Sequence, residues 1–339
     1  MLKIENLFSC SIRRLHFSAV LVLAILLIPA AGISTHTGPA NDFAEWLAGM
    51  KKDALDAGIS PDTIRSTLDG LSCIPQVVSL DRRQPETRLN FPDYLKNVVS
   101  RERIDRGRSL FKSQKPLLDE IFEQYGVEPR FLVSLWGIES DYGRRSGSFP
   151  VIGALATLAY DGRRSFFFRR ELLNALRIID QGHIDAAGMS GSWAGATGQF
   201  QFMPSSFLSY AVDHDRNGCM DIWNDQGDAL ASAANYLKKA GWSSGRPWGM
   251  EINLPEGFDR SLIGLRTKKK MTEWSTLGIR LSDGGSLPAS GDAAASVIQP
   301  HGSERYFLVH GNFRVFLQWN RSTFFALAVG LLADLIAAE

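Results

Sequence analysis

The sequence predicts an α+β protein that is predominantly helical. From residue 42 to residue 241, apolar side chains recur three or four positions apart, which is the period of a helix with one buried face. From Trp242 onward the period becomes shorter, and three segments have the pattern of strands: 249–254, 305–310 and 312–318. A final apolar run, 323–336, follows Ser322, a residue type that favours helix N-termini. We therefore expect a helical protein with a small β-rich portion near its C-terminal end.

Composition and charge restrict the class of protein. The chain has 339 residues, of which 45% are hydrophobic and 22% charged, and its formal net charge is +1. These values are ordinary for a globular protein. No block of like charge is present, so a nucleic-acid partner is not expected. The length suffices for two domains or for one large domain with an additional lobe.

Residues 1–32 have the organisation of a secretory signal peptide. A basic N-terminal part precedes an uncharged apolar run, 17–31, which ends in small residues. The run is short for a membrane span, although an uncleaved N-terminal anchor is an alternative. Cys10 precedes the apolar run, whereas a lipidated cysteine would follow it. We therefore expect an exported protein without a stable membrane span after removal of the signal.

Two cysteines remain after the predicted signal peptide, Cys73 and Cys219. In an oxidising compartment they could form a disulfide. Two cysteines far apart in sequence leave that question open.

Start and stop signals place the helices of the N-terminal part. Residues 42–70 should form two helices, with Ser60 capping the second and Pro61 occupying its first position. Three prolines within 74–92 favour an extended segment. Two further helices are expected, at about 93–99 and 101–125.

The next segment, 131–143, carries the most chemical information. Pro129 suits a first helical position. One face of the predicted helix then carries positions i, i+3, i+4 and i+7, which are Leu132, Leu135, Trp136 and Glu139. A carboxylate on a core-facing face is costly unless it is paired or protonated. Glu139 could therefore be a buried acid paired with a structural arginine. Alternatively, it could be a proton donor whose pKa is raised by apolar surroundings.

The chain after this helix alternates helices with glycine-rich turns. The expected segments are a helix at 165–181, a glycine-rich segment at 188–203, a short helix from Pro204 to about Ala211 and an Ala-rich helix at 229–240. Ser192, Gln199 and Gln201 are uncharged hydrogen-bonding groups that suit either sugar hydroxyls or ordinary turns. Arg163 and Arg164 could bind an anionic group or form an exposed pair. A Gly/Ser/Pro/Ala stretch at 282–296 is expected to be a surface loop.

An acidic loop at 213–228 has the spacing of a calcium-binding loop. Positions 1, 3, 5, 6, 7 and 9 of a D-x-[DN]-x-[DN]-G pattern are Asp213, Asp215, Asn217, Gly218, Cys219 and Asp221. Calcium takes side-chain oxygens at such positions, a backbone carbonyl at position 7 and a turn glycine at position 6. Position 12 is Asn224, where a bidentate Glu is usual, so Asp225 or Asp228 would complete the site. We expect a structural calcium ion; the alternative is an Asx-rich turn without an ion.

Four segments in this order resemble the lytic murein transglycosylase B family, glycoside hydrolase family 103. They are WGIESDYG at 136–143, GQFQFMPSSF at 198–207, ANYLKKAGW at 234–242 and FLQWNRSTFFALAV at 316–329. The resemblance extends from about residue 43 to residue 336. It implies a lysozyme-like core at about 127–241, an N-terminal helical lobe at about 42–126, a small β-rich lobe at about 242–320 and a C-terminal helix at 322–336.

The resemblance also implies an activity, that of a peptidoglycan lytic transglycosylase. The family cleaves the MurNAc–GlcNAc β-1,4 bond without water and leaves a 1,6-anhydromuramoyl end. Its single catalytic Glu matches Glu139, which would first protonate the leaving oxygen and then accept the proton of the muramoyl C6 hydroxyl. No second carboxylate is placed by the sequence, which agrees with one residue in both roles. The resemblance implies no catalytic cofactor, a monomer, and glycan strands of the periplasm as the partner.

Residue roles follow from the resemblance by motif position. The implied substrate-binding residues are Ser192, Gln201 and Asn320 around the cleaved bond, Arg163 and Arg164 as an arginine pair, and Tyr94 and Tyr236 along the cleft. The implied calcium ligands are Asp213, Asp215, Asn217, Cys219 and Asp228. Trp319 and Phe325 lie where tyrosines are common in the family, which puts hydrogen bonds through these two rings in question.

Two other functions remain open at this point. One is a hydrolytic muramidase that uses water, against which the missing second acid argues. The other is a non-catalytic protein that binds peptidoglycan or calcium, against which the matched set of polar residues argues.

Overall fold

The computed structural model describes residues 40–83, 89–288 and 294–338. The predicted signal peptide, 1–32, lies outside these ranges. The N-terminal part of the described chain is helical: α1 (Ala40–Asp56), α2 (Pro61–Leu68), α3 (Pro75–Arg83), α4 (Phe91–Val98), α5 (Arg101–Ser113) and α6 (Lys115–Tyr125). The predicted cap is confirmed, because the Ser60 side chain accepts a hydrogen bond from the Thr63 N–H at 3.2 Å.

Two predictions for this part are wrong, and proline explains both. Residues 75–83 form α3 where an extended segment is predicted, because Pro75 occupies the first helical position and its missing N–H costs nothing there. The helix predicted over 101–125 is divided into α5 and α6 at Gln114, just before Pro116. Pro116 can begin a helix but cannot continue one.

The central part carries α7 and the elements packed around it. They are α7 (Pro129–Ser140), β1 (Phe149–Pro150), α8 (Val151–Asp161), α9 (Ser165–Asp180), β2 (Ser190–Gly191), α10 (Pro204–Tyr210) and α11 (Gln226–Lys239). Every residue of α7 from Phe131 to Ile138 is buried. A helix that is apolar on all sides must be enclosed by other elements. The predicted helices over 165–181, 204–211 and 229–240 are confirmed to within a few residues.

The remaining elements form a small sheet and two C-terminal helices. They are β3 (Gly249–Asn253), β4 (Lys269–Lys270), α12 (Met271–Thr276), β5 (Arg280–Leu281), β6 (Ala294–Ile298), β7 (Tyr306–Val309), α13 (Gly311–Trp319) and α14 (Thr323–Ala337). The sheet has the strand order β4-β6-β7-β3-β5, and its pairs are antiparallel. In the pair β6–β7, Val297 and Leu308 face a small cluster around Trp274, whereas Ile298 and Phe307 belong to the main core. This alternation is what a sheet covered on both faces requires.

Two predictions for this region need correction. Residues 312–318 form most of α13 and not a strand. Their buried members, Asn312, Phe313, Val315 and Phe316, follow the helical period. The loop predicted over 282–296 is too long, because residues 294–296 already belong to β6, which pairs with β7.

The last helix, α14, supports α7. Its predicted cap is confirmed, since the Ser322 side chain accepts a hydrogen bond from the Phe325 N–H at 3.3 Å. Across the contact, the buried Ser134 hydroxyl of α7 donates to the Val329 carbonyl at 2.7 Å. Within the described ranges no single helix is long and apolar enough to cross a membrane, and α13 and α14, which pass that test only together, meet at 120°.

The main core draws on elements from α1 to α14, from Phe43 to Ile336. The domain limits given above stay a prediction.

The tight contact beneath α14 can be tested with Gly330→Ala. A Cβ at Gly330 would lie 2.3 Å from the buried Trp248 indole, so overpacking should lower the free energy of unfolding by about 1–3 kcal/mol. Gly49→Ala in α1 is the matched control, because no heavy atom lies within 4 Å of its new Cβ. It should leave stability unchanged or raise it by up to about 1 kcal/mol. Equal urea midpoints for the two variants would contradict the packing described.

Candidate active site

Glu139 is carried to the edge of the core by the last turn of α7. It is half-buried, whereas the eight residues before it are buried. The helix ends immediately afterwards, because Asp141 and Tyr142 adopt left-handed backbone conformations with φ of 53° and 62°. Ser140 fixes this end by donating its hydroxyl to the Gln199 carbonyl at 2.5 Å. The carboxylate therefore projects from a rigid helix terminus.

Trp319 contacts the carboxylate directly. Its indole Nε1 donates a hydrogen bond to Glu139 Oε1 at 2.8 Å. Trp319 is the last residue of α13, so the bond joins the ends of two helices that are 180 residues apart in the chain. Tyrosine is common at this position in the family that the sequence resembles. Trp319 still provides a hydrogen bond through its ring. Phe325, the other such position, is fully buried in the core.

Aromatic rings fix the orientation of Trp319. The Tyr236 ring centroid lies 4.6 Å away and that of Phe202 lies 5.4 Å away. Tyr236 also packs on Tyr210 at 4.4 Å and donates its hydroxyl to the Gln318 carbonyl at 2.9 Å. Burial raises the pKa of Tyr236 to about 12, so its hydroxyl keeps its proton at neutral pH.

The glycine-rich segment supplies two buried polar residues. Gln201 has a positive φ of 50°, and its Nε2 donates to the carbonyls of Ser146 at 2.9 Å and Gly198 at 3.0 Å. Its Oε1 has no hydrogen-bond partner in the described part of the chain. The buried Ser192 hydroxyl oxygen accepts the Ala196 N–H at 3.0 Å. Both side chains are thus held by backbone groups of this segment and its neighbours.

Asn320 and Tyr94 lie on either side of the start of α14. Asn320 ends α13 directly after Trp319, is buried, and accepts the Ser322 N–H through Oδ1 at 2.9 Å. Tyr94 is a buried residue of α4 whose ring lies 5.6 Å from that of Phe324. Asn320 therefore directly follows Trp319, the residue that contacts Glu139.

The arginine pair is bound to a buried aspartate. Arg163 donates Nε and Nη2 to the two carboxylate oxygens of Asp81 at 2.6 and 2.7 Å, and Arg164 Nη2 lies 3.2 Å from Asp81 Oδ1. The hydrogen bonds from Arg163 to Asp81 raise the pKa of Arg163, whereas burial lowers the pKa of Arg164. The sequence left open an anion site or an exposed pair for Arg163 and Arg164. The structure adds a partner that neither alternative included, the buried Asp81, which is 2% exposed.

The acidic loop brings three carboxylates together. Oxygens of Asp213, Asp215 and Asp228 lie within 4.8 Å of one another. Asp228 is fully buried, and its two oxygens accept the N–H groups of His214 at 2.6 Å and Asp221 at 2.7 Å. Burial raises the pKa of Asp228, as expected for a carboxylate beside other acids.

The neighbours of this cluster have other roles. Asp225 accepts the Asp228 N–H and caps α11, and Asn224 donates to Asp221, so neither belongs to the carboxylate cluster. Cys219 is a free thiol, as is Cys73, and no disulfide joins them. The Cys219 thiol instead donates to the His183 carbonyl at 3.3 Å.

Two hydrogen bonds that the sequence analysis did not predict join the acidic loop to the glycine-rich segment beside Glu139. The Trp223 indole donates to the Thr197 hydroxyl at 2.6 Å. The Gln199 N–H donates to the Ile222 carbonyl at 3.0 Å, while the Gln199 carbonyl accepts from Ser140 beside Glu139. Such bonds between distant loops leave no signal in a single sequence.

The role of Asp81 can be tested with Asp81→Asn. Removing one partner of a buried ion pair should cost about 3 kcal/mol, because Arg164 would keep a buried and unpaired charge. Asp62→Asn removes an exposed partner of Arg65 and should cost under about 1 kcal/mol. Urea unfolding of both variants measures the difference. Equal losses would show that the ion pairs of Asp81 contribute no more stability than the exposed Asp62–Arg65 pair.

Comparisons with known proteins agree with this geometry. A model of the transglycosylase SLT domain family matches residues 42–334. The membrane-bound lytic murein transglycosylase B of Escherichia coli K12 is 30% identical over 274 residues, which are 76% of this chain and 73% of that protein.

Solved structures give the same result. SltB3 from Pseudomonas aeruginosa, in complex with NAG-NAM-pentapeptide, superposes with a TM-score of 0.85 at 43% identity and covers 88% of this chain and 80% of its own. A second SltB3 complex, with NAG-anhNAM-pentapeptide, gives 0.84 at 44% identity, over 86% of this chain and 78% of its own. The E. coli lytic transglycosylase Slt35, in complex with calcium, gives 0.74 at 28% identity, over 87% of this chain and 92% of its own. With a family match over nearly the whole described chain, this protein belongs to the lytic transglycosylases with an SLT domain.

Proposed function

We propose that this chain is a peptidoglycan lytic transglycosylase that cleaves the MurNAc–GlcNAc β-1,4 bond and leaves a 1,6-anhydromuramoyl end. The observation that carries the proposal is the placement of Glu139 at the end of a rigid buried helix, hydrogen-bonded to a neutral donor. The SltB3 complexes with NAG-NAM- and NAG-anhNAM-pentapeptides support both the substrate and the anhydro product.

Glu139 acts as acid and then as base. In the first step it gives its proton to the glycosidic oxygen while the bond from that oxygen to the anomeric carbon breaks. In the second step the muramoyl C6 oxygen forms a bond to the anomeric carbon, and its proton returns to Glu139. Atoms and charge balance without water, and the carboxyl ends in its starting state.

The nearest acid along the chain supports the single-carboxylate scheme. Asp141 lies two residues after Glu139, but its carboxylate accepts from Arg144 at 2.6 Å and lies 3.8 Å from Arg103. A carboxylate engaged in this way is poorly placed to activate a water on the opposite face of a sugar. This arrangement disfavours the hydrolytic alternative.

The remaining sequence-predicted residues are proposed to bind the glycan. Ser192, Gln201 and Asn320 offer uncharged polar groups around the reacting bond, and Tyr94 and Tyr236 provide ring surfaces along the cleft. Arg163 and Arg164 would bind an anionic group of the substrate with the part of their guanidinium surface that Asp81 leaves exposed. The side chain of Arg163 is 47% exposed, which supports that role.

Calcium is proposed as a structural ion of the acidic loop. A cation would offset the repulsion between the three clustered carboxylates, and calcium prefers such hard oxygen donors. Asp213, Asp215 and Asp228 would hold the ion together with the Asn217 side-chain oxygen and the Cys219 carbonyl. The Slt35 complex with calcium supports this assignment. We further propose periplasmic location through the N-terminal signal peptide, supported by the bacterial cell-wall enzymes that this chain resembles.

Glu139→Gln tests the function. The variant should keep the wild-type melting temperature, because an amide can accept the same hydrogen bond from Trp319. It should lose at least about 1000-fold in turnover of purified peptidoglycan, because it can no longer carry the proton in either step. Mass spectrometry of wild-type products should show muramoyl ends that lack one water.

The control is Glu123→Gln, which changes an exposed acid on α6 and should keep full activity. Near-normal turnover by Glu139→Gln would refute the assignment. Hydrated ends from the wild-type protein would instead identify a muramidase.

The calcium proposal has a separate test in thermal unfolding. Calcium at 100 times its dissociation constant should add roughly 2.7 kcal/mol of stability, and a chelator should remove the gain. Asp215→Asn, at an exposed member of the cluster, should weaken the calcium-dependent shift. Asp56→Asn, an equally exposed acid on α1, should retain it. An unfolding midpoint that changes with neither calcium nor chelator would contradict the proposed calcium site.

A further inference from the structure

The hydrogen bond from Trp319 to Glu139 comes from the indole N–H, which can donate a hydrogen bond but cannot accept one. The indole Nε1 carries one hydrogen and has no lone pair to accept another. At 2.8 Å it satisfies Oε1 of the carboxylate. A proton placed on Oε1 would weaken that oxygen as an acceptor for the indole N–H, so Oε2 is the more favourable site for the proton. The bond makes the two carboxylate oxygens chemically unequal.

The surroundings of Trp319 hold this geometry in place. The ring lies between Phe202 of the glycine-rich segment and Tyr236 of α11, with centroid distances of 5.4 and 4.6 Å. Tyr236 is itself fixed by its bond to the Gln318 carbonyl, one residue before Trp319. Trp319 is the last residue of α13, and Asn320 caps the helix directly after it. Packing thus orients the donor before any substrate binds.

We propose that Trp319 is a positioning residue of the reaction, which holds Oε1 of Glu139 so that Oε2 carries the transferred proton in both steps. The inference rests on the proposed function of Glu139 and extends it by assigning each oxygen a role. The donor also stabilises the ionised carboxylate formed after the first step, since hydrogen bonds to charged groups are stronger than neutral ones. Trp319 itself exchanges no proton with the substrate.

Two ionisable groups, Tyr236 and Asp141, lie near the Glu139–Trp319 pair. Tyr236, which packs on the indole, has its pKa raised to about 12 by burial and stays neutral across the working range. Asp141, which follows the end of α7, is engaged by Arg144 and Arg103. A titration compared between the wild-type protein and Glu139→Gln therefore has to assign the change in the pH–rate profile to Glu139.

Two substitutions separate the donor from the ring. Trp319→Phe keeps an aromatic ring but removes the N–H, and it should lower kcat about tenfold with little change in KM. Its basic limb of the pH–rate profile should move up by about one pH unit, because the ionised carboxylate loses a donor. Trp319→Tyr restores an O–H donor and should recover most of kcat and the original limb. All three proteins should give similar melting temperatures and the same far-ultraviolet circular dichroism.

A spectroscopic measurement avoids reliance on activity. In protein labelled with nitrogen-15 tryptophan, the indole N–H resonance that is missing from Trp319→Phe should titrate at the pH of the basic limb. In Glu139→Gln the same resonance should stop titrating over that range.

Three outcomes would overturn the proposal. They are an unchanged kcat and pH profile in Trp319→Phe, a Trp319→Tyr variant as slow as Trp319→Phe at equal stability, and an indole resonance insensitive to Glu139→Gln. Failure of the parent proposal would appear separately, as an active Glu139→Gln enzyme.

Discussion

A helix that is buried on every side has to leave the core at one point, and in this protein that point is Glu139. Apolar contacts hold α7 from Phe131 to Ile138, and the left-handed turn at Asp141 and Tyr142 redirects the chain at once. The Glu139 carboxylate is therefore held by a well-packed helix while it remains only half-buried. Precise placement of this kind is what general acid catalysis demands, because proton transfer depends steeply on geometry.

The identity of the group bonded to Glu139 matters as much as its position. An arginine at Oε1 would hold the carboxylate in its ionised form, since an opposite charge strongly favours that form. A neutral indole instead leaves both protonation states accessible, which a residue that donates and then accepts one proton needs. Arg144 binds Asp141, and Arg163 binds Asp81. The indole contact fits the proton-donor role that we propose for Glu139.

Sequence reasoning predicted features that depend on local chemistry and missed those that depend on distant contacts. The helix caps at Ser60 and Ser322 and the acidic cluster follow from short patterns, so they were accessible. Residues 312–318 include Phe313, Val315 and Phe316, residue types that favour strands, although their burial follows the period of a helix. The Trp319 bond to Glu139 spans 180 residues, a separation over which one sequence carries no signal.

A series of hydrogen bonds connects the acidic loop with the candidate active site. Asp228 holds the backbone of Asp221, the adjacent Ile222 carbonyl holds Gln199, and the Gln199 carbonyl holds Ser140, which precedes the end of α7. Each of these hydrogen bonds has a backbone group as one partner, so the series connects the backbone of the acidic loop with the end of α7. Asp213, Asp215 and Asp228 repel one another in this cluster, and a cation bound among them would replace that repulsion by attraction.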